Sequence, residues 1–520
     1  MKRNRLANTG RNAVFSFFDR AVTMLCSFAA RSVFLSVLDR SYLGVGGMFG
    51  NVFTVLALLE CGIGTAISQT LYKPLAAGHF HIVKALVNYH ERLYRRVSLA
   101  TLTVSAALLP FLPRLFPDIV RIDGYRAVYA LFVFHQLCAY RFAPKRALVV
   151  CDQRMYAVVI PHTVCTLLAT VCQIAVLRFT GSYLAYLALR IGFAAVEGMA
   201  VERYAARVYP FLKSHAEPLS APLRALVKDK ARALFVHRVG GVVDRATDSL
   251  LISAKLGLAS MGVFSNYALV INTVGGFVSL GVRSCAASVG NLSAGENEEK
   301  GEAVLKRLCF LNVLAVSTVT SVFAACLRPF FSLWVGEWMC FGNAETAVIL
   351  GCFYLSYVRD PVRVFLENYG VFEETKYLYL FRGCLNFALS LVFVGRYGVT
   401  GVFGGTVVST LVTALPFEPV FALKYALHRP VLPFMRYYLG LVGFGALAAS
   451  FPFCAGVFLP IKTLPGLIVS ALVTAVTVPA AFYLRYHRSA EWHDGTGLLR
   501  LALNKVLRRV IKKRSLGGTV

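Results

Sequence analysis

Residues 12–37 read NAVFSFFDRAVTMLCSFAARSVFLSV, with Asp19, Arg20 and Arg31 as the only charged side chains. A helix needs about 20 predominantly apolar residues to cross the hydrocarbon of a bilayer, and this run has that length and polarity. Its polar residues are ordered: Ser16, Arg20, Thr23, Ser27 and Arg31 follow at steps of four, three, four and four, so they share one helical face. A charge at mid-bilayer costs about 2.5–3.5 kcal/mol on insertion scales, which turns such a face toward protein, water or a ligand and away from lipid.

The pattern recurs from end to end. The chain has 520 residues, 57% of them hydrophobic and only 15% charged, against about 45–50% and about 25% in an ordinary soluble domain. Its mean hydropathy is +0.63. About fourteen apolar runs are expected to span a membrane: 12–37, 41–72, 96–117, 126–150, 155–178, 181–207, 236–255, 258–290, 307–335, 344–370, 377–395, 398–426, 434–459 and 463–486. The fold class that follows is an all-α polytopic membrane protein, and a soluble helical protein is excluded by run length.

The formal net charge of +28 does not indicate nucleic acid, because Lys and Arg are grouped between apolar runs and form no single basic domain. One set of connections is basic (Lys73, Lys84, Arg92, Arg95 and Arg96; Lys145, Arg146 and Arg154; Lys213, Arg224, Lys228, Lys230 and Arg232; Lys300, Lys306 and Arg307), while the alternate set, such as 180–183, 257–259 and 342–343, is short and nearly uncharged. By the positive-inside rule the basic set and both termini face the cytoplasm. The outer connections leave no room for a catalytic domain. The start, MKRNR and an amphipathic stretch, lacks the compact apolar core and cleavage site of a removable signal. In the tail, Leu499, Leu503, Val506, Leu507, Val510 and Ile511 recur at helical spacing among Arg500, Lys505, Arg508, Arg509, Lys512 and Lys513. That predicts a helix on the anionic inner leaflet, with a disordered basic tail as the other reading.

Thirteen cysteines form no C-x-x-C pair and no zinc-spaced cluster, so they are expected as buried apolar residues. His79 and His81 flank Phe80 in a predicted polar loop without a third ligand, so no metal is expected. No G-x-x-x-x-G-K-[ST] motif is present, which removes a nucleotide-hydrolysing engine. No cofactor is expected.

The chain repeats weakly. Phe18-Asp19-Arg20-Ala21 is echoed by Val243-Asp244-Arg245-Ala246, and Gly47-Met48-Phe49-Gly50-Asn51 by Gly262-Val263-Phe264-Ser265-Asn266. Both echoes sit at the same place in a six-span unit. Six is even, so the two units enter the membrane in the same sense and are related by an axis along its normal, with a cavity between them. The expected organisation is a lobe over 1–208, a second over 209–430, appended spans over 431–487 and a basic amphipathic tail over 488–520.

The seventh span carries one stripe of His237, Asp244, Asp248 and Lys255 beside another of Arg238, Arg245 and Ser249. Two readings stand for these charges: they line a shared cavity, or they pair with one another and hold helices together. Glu60, Arg190, Glu197 and Arg283 carry the same two readings, and Arg359, Arg363 and Glu367 are spaced for an i to i+4 ladder. Arginine matches phosphate oxygens bidentately. The candidates for holding a diphosphate are therefore Arg20, Arg31, Arg238, Arg245 and Arg283. Asp19, Glu60, Asp244 and Asp248 are the candidates for ion coupling or a charge network.

At these residues a family resemblance emerges. Leu43-Gly44-Val45-Gly46-Gly47-Met48-Phe49-Gly50-Asn51, Leu59-Glu60-Cys61-Gly62-Ile63-Gly64-Thr65-Ala66-Ile67 and Leu71-Tyr72-Lys73-Pro74-Leu75-Ala76 resemble the second span and following loop of Wzx-type oligosaccharide flippases. Tyr369-Gly370-Val371-Phe372, Gly398-Val399-Thr400-Gly401-Val402-Phe403-Gly404-Gly405-Thr406 and Glu418-Pro419 resemble the tenth to twelfth spans of the same branch. That branch shares a superfamily with multidrug and toxin extrusion (MATE) transporters and lipid II flippases. The resemblance implies twelve to fourteen helices in two lobes. It also implies transfer of undecaprenyl-diphosphate-linked sugar units from the inner to the outer leaflet of a bacterial cytoplasmic membrane, with cationic cavity residues that map onto Arg20 and Arg245. Expected partners are that lipid-linked oligosaccharide, anionic membrane lipids and other polysaccharide assembly proteins. A lipid II flippase and a MATE-type drug or cation antiporter are the alternatives. An enzyme is disfavoured, since His135 and His162 show no acid partner in sequence.

Overall fold

A computed structural model describes residues 2–213, 218–284, 289, 298–371, 373–456 and 463–493; within these, the side chains of 2–14, 213, 233, 236–238, 240, 241, 243–245, 284, 298, 299 and 452–456 lie outside the description. The described chain is helical, without strands. Its helices are α1 (Lys2–Val37), α2 (Arg40–Leu56), α3 (Ile63–Ala77), α4 (Phe80–Leu108), the single turn α5 (Leu112–Leu115), α6 (Tyr125–Cys151), α7 (Tyr156–Thr180), α8 (Tyr183–Val208), α9 (Ala221–Leu251) and α10 (Gly257–Ser284). They continue as α11 (Glu298–Val335), α12 (Asn343–Tyr357), α13 (Asp360–Asn368), α14 (Lys376–Val412), α15 (Ala414–Phe421), α16 (Val431–Gly456) and α17 (Leu464–Tyr486). Helices satisfy their backbone polar groups internally, which is the condition for crossing hydrocarbon.

Among the described residues ten stretches are long and apolar enough to span a membrane, and one of them, Lys376–Ala426, runs for 51 residues. It is divided at Gly398, where φ 56° and ψ −132° interrupt the helical path; only glycine adopts that conformation without strain. The sequence runs 377–395 and 398–426 meet at this point. The second expected span, 41–72, is likewise broken into α2 and α3 by left-handed Cys61 and Gly62, with φ of 50° and 70°.

The structure changes the picture of the basic connections. Lys73 lies inside α3, and Arg92, Arg95 and Arg96 lie inside α4, which leaves Gly78 and His79 as the turn between them. Arg224 to Arg232 likewise belong to α9. Lys and Arg are good helix formers, so the helices continue past their apolar segments and carry the charges outward. Of the two histidines expected in a loop, His79 remains in the turn as the residue preceding α4 and His81 lies in the first turn of that helix, with ring centroids 6.1 Å apart.

The chain forms two compact units. The first comprises Met1–Tyr267 and Val394–Val402, the second Ala268–Phe393 and Phe403–Val520. In the first unit α1 packs along α7 and α6 along α8. Its core joins Phe34, Val45, Met48, Phe49 and Phe53 to Val128, Tyr129, Tyr183 and Leu187. A second cluster gathers Ile67, Leu71, Val83, Leu86, Leu148, Val158 and Ala205. Asp39 caps α2 by accepting from the Ser41 amide at 2.9 Å. Burial opposes ionisation of this carboxyl, but the Ser41 and Arg40 contacts prevail and hold it below its ordinary value.

The echoed glycine motifs meet in the first unit. A Cβ on Gly44 would stand 1.9 Å from the Leu258 carbonyl oxygen, one on Gly262 would stand 2.1 Å from the Arg40 carbonyl oxygen, and one on Gly47 would stand 2.6 Å from Met261 Cε. The helices α2 and α10 cross backbone to backbone, which small residues alone permit.

In the second unit α16 and α17 pack against α11, with Phe310 edge-on to Phe482 at 6.0 Å. The expected ladder of Arg359, Arg363 and Glu367 is not formed. Arg359 donates to Glu418 at 2.7 Å with both side chains buried, Arg363 pairs with Asp360, and Glu367 lies 3.6 Å from Arg283. The helical spacing from Arg359 to Glu367 is kept, with the Arg363 amide bonded to the Arg359 carbonyl at 3.1 Å, but Glu418 and Asp360 take the two arginines. The amphipathic tail expected over Leu499 to Lys513 lies outside the described residues.

Candidate functional site

The first unit holds a cavity of about 410 Å³ lined from α2 by Gly46, Gly50, Phe53 and Thr54, from α6 by Phe132, His135 and Gln136, from α8 by Leu187, Arg190 and Ile191, and by Ala57 and Val242. Its apolar floor is made by the aromatic core, where Phe53 stacks on Phe132 with centroids 6.4 Å apart. Gly46 and Gly50 keep the α2 wall low, and a Cβ on Gly50 would meet nothing within 4 Å. Arg190 is exposed to this space and makes no ion pair among the described residues. No carboxylate lines the cavity among the described residues. Arg190 stands seven residues into α8, about 10 Å of helix rise, and His135 ten residues into α6, about 15 Å, which sets both groups deep within their spans.

Beside this cavity Arg31 donates from Nη1 to Ser265 Oγ at 3.0 Å and to Asn266 Oδ1 at 2.7 Å. Its partners are neutral, so the bonds satisfy its geometry and leave its charge. Ser265 and Asn266 belong to the second copy of the glycine motif, and Asn266 is fully buried. The field of Arg190 reaches both Arg31 and His135. The two guanidinium groups, Arg31 on α1 and Arg190 on α8, place positive charge in this part of the first unit.

The other sequence candidates are distributed as follows. Arg20 is exposed on α1 and has no hydrogen bond or ion pair among the described residues. Asp19 accepts from Thr163 Oγ1 at 2.7 Å and lies 2.8 Å from His162 Nδ1, which joins α1 to α7; His162 thus has the acid partner that its sequence neighbourhood did not show. Glu60 accepts from Tyr94 and from the Gly64 amide, the latter at 3.3 Å, at the break in the second span. Asp248 is buried. Arg283 lies in the second unit beside Glu367. The side chains of His237, Arg238, Asp244 and Arg245 lie outside the described residues. No group of three metal-ligating side chains occurs among the described residues.

The stripe Ser16 to Arg31 is divided in space, with Arg20 exposed and Arg31 bonded to α10. Gln136 was not singled out by sequence reasoning. Its adjacency to His135, one turn above a row of basic residues on α6, was the available signal.

No family model matches the sequence, and no curated protein matches it. Solved structures do. The lipid II flippase MurJ in an inward closed conformation aligns with TM-score 0.60 at 12% identity, covering 91% of this chain and 99% of that one. An inward-facing multidrug resistance MATE transporter of the MOP superfamily aligns with TM-score 0.55 at 14% identity over 82% and 95% of the two chains. A MOP-superfamily transporter from Pyrococcus furiosus, described as having a binding pocket of reverse polarity and a different function, aligns with TM-score 0.53 at 12% identity over 86% and 96%. At these identities the likeness is one of fold, and the chain has the all-helical, many-span architecture of the MOP-superfamily transporters.

Proposed function

We propose that this protein is a flippase for an anionic, lipid-linked oligosaccharide, moving undecaprenyl-diphosphate-linked repeat units from the cytoplasmic to the outer leaflet of a bacterial cytoplasmic membrane by alternating access. The observation that carries this reading is the cavity lined by Arg190 and His135 with no carboxylate among its described lining residues. A guanidinium without a counter-ion at membrane depth calls for a mobile anion, and a diphosphate offers it bidentate oxygens. Gln136 and Thr54 add neutral hydrogen-bonding groups suited to the hydroxyls of a sugar. A drug or cation antiporter would want acid in this space, and the described lining residues supply none. The lipid II flippase reading shares the diphosphate chemistry.

In this reading Arg20 and Arg245, at the repeated position, complete the cationic surface, Arg31 and Arg238 support it, and Asp19, Glu60, Asp244 and Asp248 serve ion coupling or the charge network, while Arg283 stays with Glu367 in the second unit. Both termini are cytoplasmic. No nucleotide-binding motif is present, so the driving force is an ion gradient, the membrane potential or consumption of product outside; one charge moved through 100 mV is worth about 2.3 kcal/mol. The test is export. Arg190→Ala should abolish surface polysaccharide while the protein still inserts, and normal export in that variant would remove the reading.

A further inference from the structure

The helices α6 and α8 pack along one another, and their seam continues beyond the cavity. At 100° per residue, Arg146 lies eleven residues past His135 and returns to within about 20° of its face on α6. Glu197 lies seven residues past Arg190 and returns to within about 20° of its face on α8. These two side chains pair, with Arg146 Nη1 at 3.1 Å from Glu197 Oε1. The pair thus stands on the same stripes as His135 and Arg190, displaced by about 10–16 Å of helix rise toward the Cys151 end of α6.

Two details distinguish this pair from a structural clamp. Glu197 Oε1 is buried and has no aligned hydrogen bond, so charge alone holds it to Arg146. Arg146 is 49% exposed while Glu197 is 12% exposed, so the cation remains reachable by a solute. Phe142, seven residues past His135, lies on the same stripe of α6 between His135 and Arg146. Its ring fills the space over Gly198, where a Cβ would stand 2.2 Å from Phe142 Cδ2. Lower on the seam Glu202 is held by both Lys145 and Arg141, the latter at 3.2 Å, which gives that carboxylate the firmer anchorage.

We propose that Arg146 is a second anion station on the transport path, that Glu197 occupies it as a placeholder when no anion is present, and that Phe142 seated on Gly198 separates it from the cavity. This rests on the anion reading of the cavity. An arriving diphosphate displaces Glu197 from Arg146, and as it passes on toward Arg190 the carboxylate returns. Glu197 is a positioning residue for the path and makes no contact with the moving group of its own.

The experiment is calorimetric titration of inorganic pyrophosphate into the full-length protein in nanodiscs. Glu197→Gln, which keeps shape and removes charge, should tighten binding about threefold to fivefold, the scale of a part-exposed ion pair removed. Glu197→Asp, with a shorter reach to Arg146, should give an intermediate gain and serves if the first variant folds poorly. The gain should vanish in Arg146→Ala/Glu197→Gln. Unchanged affinity in Glu197→Gln, with Arg190→Ala still losing binding, overturns the placeholder and leaves the cavity reading intact. Unchanged affinity in Arg190→Ala removes the cavity reading, and the placeholder with it.

Discussion

Arg31 on α1 reaches Asn266 on α10 at 2.7 Å across 235 residues of sequence. The bond ties the first helix to the second copy of the glycine motif and, among the described residues, leaves a guanidinium with neutral hydrogen-bond partners only. Hydrogen bonds to charged groups contribute about 1.5–3 kcal/mol. Asn266→Ala should therefore destabilise the protein by about 2 kcal/mol, measured by reversible unfolding in detergent. Arg31→Ala combined with it should cost less than the two losses added, because one interaction is removed twice. Additive losses would show that the two side chains act independently.

The crossing of α2 and α10 depends on missing side chains. Gly44→Ala would place a methyl group 1.9 Å from a backbone oxygen, so the helices must separate and stability should fall by about 2–4 kcal/mol. Gly50→Ala, which meets nothing within 4 Å, should be neutral or should stabilise by up to about 1 kcal/mol through helix propensity. Equal thermal stability of the two variants would contradict this packing.

In the second unit Arg359 and Glu418 are buried together. Removing one member leaves an uncompensated charge, so Glu418→Leu should cost about 3–5 kcal/mol and lower the folded yield in membranes. Arg359→Met/Glu418→Leu should recover most of that loss. A double variant as defective as the single one would assign the pair a role beyond charge compensation.

Topology is open to labelling. Single cysteines near Lys73 and Lys228 should react with a membrane-impermeant reagent only after the inner face is opened, and one at Ser182 should react from outside. The opposite pattern would invert the orientation assigned by the positive-inside rule.

The polytopic helical fold was legible in the sequence because apolar run length in a bilayer is a strong physical constraint, and the division at Gly398 falls between the runs 377–395 and 398–426. What sequence could not show was partner choice. Spacing placed Arg20 and Arg31 on one face, yet a long helix passes different neighbours along its length, so one is exposed and the other bonded to α10. Spacing also stacked Arg359, Arg363 and Glu367, yet Glu418, Asp360 and Arg283 lay nearer as partners, which spacing along one helix does not show. Arg190 carried the same signal as Glu197 and Arg283, a charge inside a span. Only the fold distinguishes an arginine facing a cavity from one facing a carboxylate.

The most direct measurement is binding of a short-chain prenyl diphosphate to the purified protein in nanodiscs, compared between wild type and Arg190→Ala, with a prenyl alcohol and a quaternary ammonium amphiphile as controls. The account predicts binding of the diphosphate alone and a loss of tenfold or more, about 1.4 kcal/mol, in the variant. Equal affinity in Arg190→Ala, or a preference of the wild type for the cation, would contradict it.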